Sequence, residues 1–194
     1  MNKKDIRKEV YAKRKTITFD EQRILNDKLY NQVARFVAKV ISENESQLLF
    51  MYVSYGMEAD TLQLFSYLKQ LNMKVAFPKV MDTTNRIMSF YKVDDLLELE
   101  IGYKNIPEPT GNVVMDDVTN DAIVIVPIVA FSDKCKRVGY GGGFYDTYLS
   151  SHKFKKVIGI AFEYQHYDDM DMEEHDKTLD FIVTEERIYG GLYE

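Results

Sequence analysis

Arg137-Val-Gly-Tyr-Gly-Gly-Gly-Phe-Tyr-Asp146 is the stretch of this 194-residue chain whose residue types and spacing can do chemistry. Glycines at 139, 141, 142 and 143 let the backbone approach a ligand closely and turn several amide N–H groups toward one point. Such a concavity suits an anion. The spacing of Phe144-Tyr-Asp-Thr-Tyr-Leu149 allows a helix, whose amino-terminal end would add partial positive charge at the same place. Arg137, with Lys134 and Lys136 just before it, brings full positive charges. Together these residues describe a phosphate cradle, and Asp146 stands where it can hold the Mg²⁺ that nucleotide phosphates carry. The stretch lacks the G-x-x-x-x-G-K-[ST] pattern, and Phe144 occupies the place of the last glycine in G-x-G-x-x-G. The plainer alternative is a glycine-rich turn that only joins a strand to a helix.

The surrounding elements must position this loop. Ala122-Ile-Val-Ile-Val-Pro127, an unbroken apolar run rich in β-branched residues, reads as a strand buried on both faces and ended by proline. Residues 2–15 predict an amphipathic helix with Ile6, Val10 and Tyr11 on one face and Lys3, Lys4, Arg7, Lys8 and Arg14 around the rest, a pattern that on its own describes a solvated face. Thr18-Phe-Asp-Glu21 has the form of a capping box opening a helix through about Ile41, with Ile24, Leu25, Leu29, Val33, Phe36 and Val37 as core positions. Residues 47–53, 73–78, 86–93, 156–162 and 181–183 read as further strands, the third of them nearer an edge and the last closing the sheet. Residues 61–71 read as a helix burying Leu62, Leu64, Phe65 and Leu68. Residues 94–120, broken by Pro107 and Pro109, predict a connecting loop with one short helical turn near Leu96. Helices alternating with apolar strands predict a single α/β domain over residues 1–194, a three-layer sandwich with a mostly parallel, Rossmann-like sheet. Ligands in such sheets sit at the carboxyl ends of strands, so Glu58, Lys79, the glycine loop and Gln165, each directly after a strand, are expected to converge on one cleft.

Composition narrows the function classes. With 45% hydrophobic and 29% charged residues the chain has the make-up of a globular protein, which excludes disorder as its main state. A net charge of −6 argues against a general nucleic-acid binder and leaves any basic site local. One cysteine, Cys135, excludes an intrachain disulfide and a cysteine zinc site and fits a reducing compartment. Its two lysine neighbours are of the kind that lowers a thiol pKa, although an incidental loop cysteine is the simpler reading. The first ten residues lack a signal-type apolar core and no later run approaches membrane-spanning length, so a cytoplasmic place with no membrane partner is expected. His152, His166 and His175 show no metal-ligand spacing and read as solvated or packed.

The loop from Arg137 to Asp146, with Val126-Pro127-Ile-Val-Ala-Phe131 before it, resembles the signature of the 5-formyltetrahydrofolate cyclo-ligase (5,10-methenyltetrahydrofolate synthetase) family. The resemblance runs along the chain in the family's order. It takes in Lys3-Lys-Asp-Ile-Arg7 with Lys13-Arg14, Glu58-Ala-Asp60-Thr61, Phe77-Pro78-Lys79, Pro107-Glu-Pro109, and Gln165 followed by His175-Asp176. Two departures stand out: Phe144 replaces a commoner tyrosine, and Asp168-Asp-Met-Asp-Met lacks the usual proline, which bears on the placement of Asp176.

The resemblance implies ATP- and Mg²⁺-dependent conversion of 5-formyltetrahydrofolate to 5,10-methenyltetrahydrofolate with release of ADP and phosphate, by a monomer or weak homo-oligomer. It implies ATP contacts from Lys3, Lys4 and Arg7 and from Arg137, Gly139, Tyr140, Gly141, Gly142, Gly143, Phe144 and Tyr145, with Arg137 the catalytic cation. Folate contacts would come from Val53, Glu58 and residues 140–144, with Lys79 and Gln165 as weaker candidates. Asp146 and Asp176 would hold Mg²⁺. No general base is evident, which phosphoryl transfer tolerates because positioning and charge neutralisation carry it. The residues by themselves leave two alternatives open: a sugar-phosphate or acyl-CoA enzyme on a similar scaffold, and a nucleotide- or folate-binding module without turnover.

Overall fold

In chain order the elements are helices α1 (Lys3–Arg14) and α2 (Phe19–Asn44), strand β1 (Leu48–Phe50), helix α3 (Leu62–Gln70), strands β2 (Lys74–Asp82), β3 (Ile87–Val93), β4 (Leu99–Ile101), β5 (Pro107–Pro109), β6 (Ala122–Pro127), β7 (Ala130–Phe131) and β8 (Arg137–Val138), helix α4 (Phe144–Ser151), and strands β9 (Lys156–Ile160), β10 (Phe181–Val183) and β11 (Ile188–Tyr189). The structure is a computed structural model that describes residues 1–171, 173 and 176–191. A seven-stranded sheet runs in the order β11-β10-β9-β6-β1-β2-β3. Neighbours from β10 to β2 are parallel, and both edge pairs, β10/β11 and β2/β3, are antiparallel. Taken in chain order, the parallel strands lie 2-1-3-4-5. This is a doubly wound sheet whose switch point falls between β1 and β6.

Alternation along the strands builds the three layers. All of β6 is buried, with Ile123 and Ile125 in the core formed with Leu29, Val33, Phe36 and Val37 of α2 and Leu64, Phe65 and Leu68 of α3. Val124 and Val126 face the other way, packing with Phe131 of β7 and Tyr148 of α4. Helix α1 lays Ile6 and Val10 on Val129, Ala130 and Val138, so the β7/β8 ribbon is its platform. The capping box of α2 forms as expected, with Thr18 and Glu21 bonding reciprocally. Ile24 is exposed instead of buried, and Val40 extends the apolar stripe in its place.

Four sequence expectations change. Strand β2 continues through Pro78 to Asp82: β1 reaches only Ala76, so beyond it β2 has the single neighbour β3 and tolerates a residue without an N–H, as edge strands do. The segment 94–120 contains, besides the turn at Leu96–Glu98, the ribbon β4/β5, in which both prolines occupy a short edge strand. β10 does not end the sheet, because β11 pairs beyond it. The hairpin β7/β8 stands between β6 and the glycine loop, which therefore follows β8. No helix among the described residues is long and apolar enough to cross a membrane.

Candidate active site

A cleft of about 1000 Å³ opens at the carboxyl ends of β1 and β6 and along the second half of β2, where Val53, Pro127 and Pro78 form part of its wall, at the switch point of the sheet. One face of α1 supplies another wall. Lys3, Arg7, Tyr11 and Arg14 recur at intervals of four, four and three and all line the cleft. Lys4 lies one position round the helix, is exposed, and is not part of the lining.

The glycine loop forms the third wall. Gly141 (φ 90°) and Gly143 (φ 73°) take left-handed backbone conformations, and Gly143 caps the start of α4. Arg7 binds the loop from the side, its Nε donating to the Gly139 carbonyl at 2.7 Å. Arg137 projects from β8 with 5% exposure, and its Nη2 donates to Asp146 Oδ1 at 2.7 Å while its buried Nε has no partner among the described residues. Lys3 Nζ lies 2.6 Å from Asp176 and 2.9 Å from Glu173. Hydrogen bonds and attraction from these carboxylates raise the Lys3 pKa although burial opposes it.

Two carboxylates, Asp146 and Asp176, thus line the same cleft, each beside a cation. Their oxygen donors suit Mg²⁺, which is bound by one or two carboxylates with waters and phosphate oxygens completing its shell. His175, next to Asp176 in sequence, lies outside the described residues.

Glu58 lines the same cleft, its carboxylate accepting from the Tyr55 backbone N–H at 2.8 Å and lying beside the Tyr140 hydroxyl. Burial pushes its pKa up, against the stabilising effect of these groups and of Arg14. Tyr140 is itself pushed far above the ordinary phenol range, first by burial and then by Glu58. Its ring stacks on Tyr11 at 6.4 Å. Phe144 keeps an aromatic contact with Tyr103 at 5.9 Å, and Tyr145 is a buried phenol raised by desolvation.

The structure brings together Lys3, Arg7, Val53, Glu58, Arg137, residues 139–145, Asp146 and Asp176. It leaves out several expected neighbours. Lys79 points away from Pro78 and Val80, donating to the Pro109 carbonyl at 3.1 Å, because successive residues of a strand face opposite sides. Gln165 is 1% exposed and serves the backbone: it donates to the carbonyls of Ile128 and Val129 and accepts from the Phe162 N–H. Lys134 and Lys136 lie in the β7/β8 hairpin outside the cleft lining. Cys135 is buried, and desolvation raises its thiol pKa, so the two lysines do not activate it. His152 stacks on Tyr148. His166, half-buried, pairs with Asp133 at 2.8 Å and lies near Asp168, both aspartates exposed, a trio within metal-ligand reach that its sequence spacing does not reveal.

Sequence reasoning missed Arg14 and Tyr11 as cleft residues, although the Lys3–Arg7–Tyr11–Arg14 spacing carries the signal. It also missed Arg86 and Tyr103. Arg86, at φ 58° in the β2/β3 turn, lays its side chain against Gly143.

A doubly wound α/β sheet whose switch-point cleft joins a cationic glycine loop to a half-buried carboxylate defines a protein suited to hold a phosphorylated ligand beside a polar heterocycle. The chain matches the model of the 5-formyltetrahydrofolate cyclo-ligase family over residues 1–185 and belongs to that family of enzymes. It is 33% identical over 123 residues to a probable 5-formyltetrahydrofolate cyclo-ligase of Schizosaccharomyces pombe, a match spanning 56% of this chain and 60% of that protein. It is 24% identical to 5-formyltetrahydrofolate cyclo-ligase of Escherichia coli K12, over 93% of this chain and 98% of that one. The solution structure of Aquifex aeolicus 5,10-methenyltetrahydrofolate synthetase superimposes with a TM-score of 0.81 at 26% identity, covering 99% of this chain and 93% of that chain.

Proposed function

We propose that the chain cyclises 5-formyltetrahydrofolate to 5,10-methenyltetrahydrofolate in the cytoplasm, using ATP with Mg²⁺ and releasing ADP and phosphate. The observation that carries this reading is the meeting of two unlike groups in one cleft, cations around a glycine loop and the Glu58 carboxylate, with Tyr140 of that loop beside Glu58. Arg137, Arg7 and Lys3 neutralise the triphosphate, and the loop amides of residues 139–143 receive its oxygens. Glu58 accepts hydrogen bonds from N–H donors of the pterin, while Val53 borders the ring.

Bound side by side, the formyl oxygen attacks the γ-phosphorus and the bond to the ADP oxygen breaks. N10 then attacks the formyl carbon, the C–O bond leaves with phosphate, and the N10 proton is lost to solvent. The second step is intramolecular, so orientation in the cleft supplies much of the acceleration. Asp146 and Asp176 would hold Mg²⁺, which supplies charge neutralisation on the phosphates. Phosphate oxygens can then take over the cations that pair with these carboxylates, Arg137 and Lys3.

Purified protein is assayed for the methenyl chromophore with 5-formyltetrahydrofolate and Mg²⁺, with and without ATP. ATP-dependent appearance of the chromophore is expected. ATP binding without any product would overturn the reading.

A further inference from the structure

Arg14 has no part in the mechanism above, yet the fold spends a buried charge on it. It sits in the last turn of α1, is 8% exposed, and lines the cleft. Its Nη1 donates to the Tyr140 hydroxyl at 2.8 Å, whereas Nε and Nη2 are buried without a hydrogen-bond partner among the described residues, and the buried Tyr164 phenol lies near the same guanidinium. A guanidinium so placed destabilises a fold unless a carboxylate shares its field. Glu58 is that carboxylate. The Tyr140 hydroxyl accepts from Arg14 and lies near enough to the Glu58 carboxylate for each to shift the other's pKa, which links α1 through the glycine loop to the segment after β1.

The other groups facing Glu58 are the Tyr55 backbone N–H and the phenols of Tyr52, Tyr140 and Tyr145. Burial pushes all three phenols upward, so they remain neutral. Among these groups Arg14 alone brings positive charge to bear on the Glu58 carboxylate.

We propose that Arg14 is a positioning residue for the folate: acting through the Tyr140 hydroxyl, it orients the Glu58 carboxylate toward the pterin. The inference rests on the reading of Glu58 as the pterin acceptor. The sign of its pH dependence follows from the opposing effects on Glu58. Burial raises the Glu58 pKa and the Arg14 charge opposes that rise, so removing the charge raises it further. Folate binding that needs the ionised carboxylate is then lost at a higher pH as the pH falls.

The test compares Arg14→Gln, Arg14→Lys and Tyr140→Phe with the parent by steady-state kinetics across about pH 5 to 9. Each is also titrated directly with 5-formyltetrahydrofolate, and each melting temperature is recorded. Arg14→Gln is expected to raise the folate KM and Kd about tenfold and to move the acidic limb of kcat/KM for folate up by about one unit, with the ATP KM changed less than about twofold. Arg14→Lys keeps the charge without the aimed Nη1 and is expected to restore the limb and only part of the affinity. Tyr140→Phe keeps Arg14 and loses the bridging hydroxyl, and is expected to weaken folate as Arg14→Gln does.

A lower melting temperature with an unmoved limb and both KM values changed alike would make Arg14 a purely structural residue and overturn the proposal. If Arg14→Gln does not fold, an unchanged folate Kd in Tyr140→Phe overturns it alone. A parent that forms no methenyl product fails the cyclo-ligase reading, and this inference with it. An active parent with unaffected variants refutes Arg14 only.

Discussion

Adding one methyl group at Gly139 strikes the Arg137 head without touching the arginine itself. A Cβ built there would lie 2.7 Å from Arg137 Nη1, about 0.7 Å short of the 3.4 Å at which ordinary contact begins. The backbone at Gly139 is not in the left-handed region, so Gly139→Ala adds crowding without conformational strain. An exposed arginine would swing aside, but the Arg137 side chain is 4% exposed and its Nη2 is fixed on Asp146 at 2.7 Å. The guanidinium must therefore shift as a packed group by several tenths of an ångström. That weakens its pair with Asp146 and misplaces it for the γ-phosphoryl. Misplacement of a catalytic group by about 1 Å costs about a hundredfold, so a shift of this size predicts a fall in kcat of about ten- to a hundredfold. Stability should drop by only about 1–2 kcal/mol, in the range of overpacking one methyl. The ATP-dependent methenyl assay and a thermal melt read the two effects separately. A kcat within about twofold of the parent would show that the Arg137 position does not matter to phosphoryl transfer.

Three further substitutions probe the cleft. Glu58→Gln should raise the folate KM about tenfold or more while the ATP KM moves less than about twofold, and should abolish the part of the acidic limb of the folate pH profile that belongs to this carboxyl; equal changes in both KM values would exclude a pterin contact. Asp146→Asn should raise the Mg²⁺ concentration for half-maximal turnover at least about tenfold, since even outer-shell partners of a metal are worth that much; a metal titration that overlays the parent's would refute the assignment. Arg86→Ala should raise the ATP KM about tenfold by removing a cation that lies against Gly143, and an unchanged value would make that arginine a bystander.

Much of the fold was legible because it rests on short-range patterns. The all-apolar run of β6 required burial on both faces, and the buried residues of α2 follow the spacing predicted from Leu29 to Val37. The prolines misled for a physical reason. A proline removes a donor, and whether that ends a strand depends on whether a neighbour needs the donor, which is a tertiary fact. At Pro78 and in β5 no second neighbour did. The glycine loop was legible as a turn that opens helix α4 beside a ligand cleft, but the ribbon that carries Arg137 was not, since each of its strands is two residues long.

The cleft residues divide along the same line. The rule that ligands sit at strand ends located the site but could not say which side chain enters it, and so it gave Lys79 and Gln165 the same standing as Glu58. Alternation turns Lys79 away while Pro78 and Val80 face in, and Gln165 is consumed by three backbone partners. Arg14 fails in the opposite direction. By composition it is one more cation on a basic helix, yet Ile6, Val10 and Arg14 follow a strict four-residue spacing, which puts Arg14 on the buried stripe. A charged residue continuing an apolar stripe is costly unless a partner waits for it, and here that partner is the Tyr140–Glu58 pair. The conflict between stripe and charge is visible in the sequence, and a buried charge with a carboxylate in reach is where a functional group is to be sought.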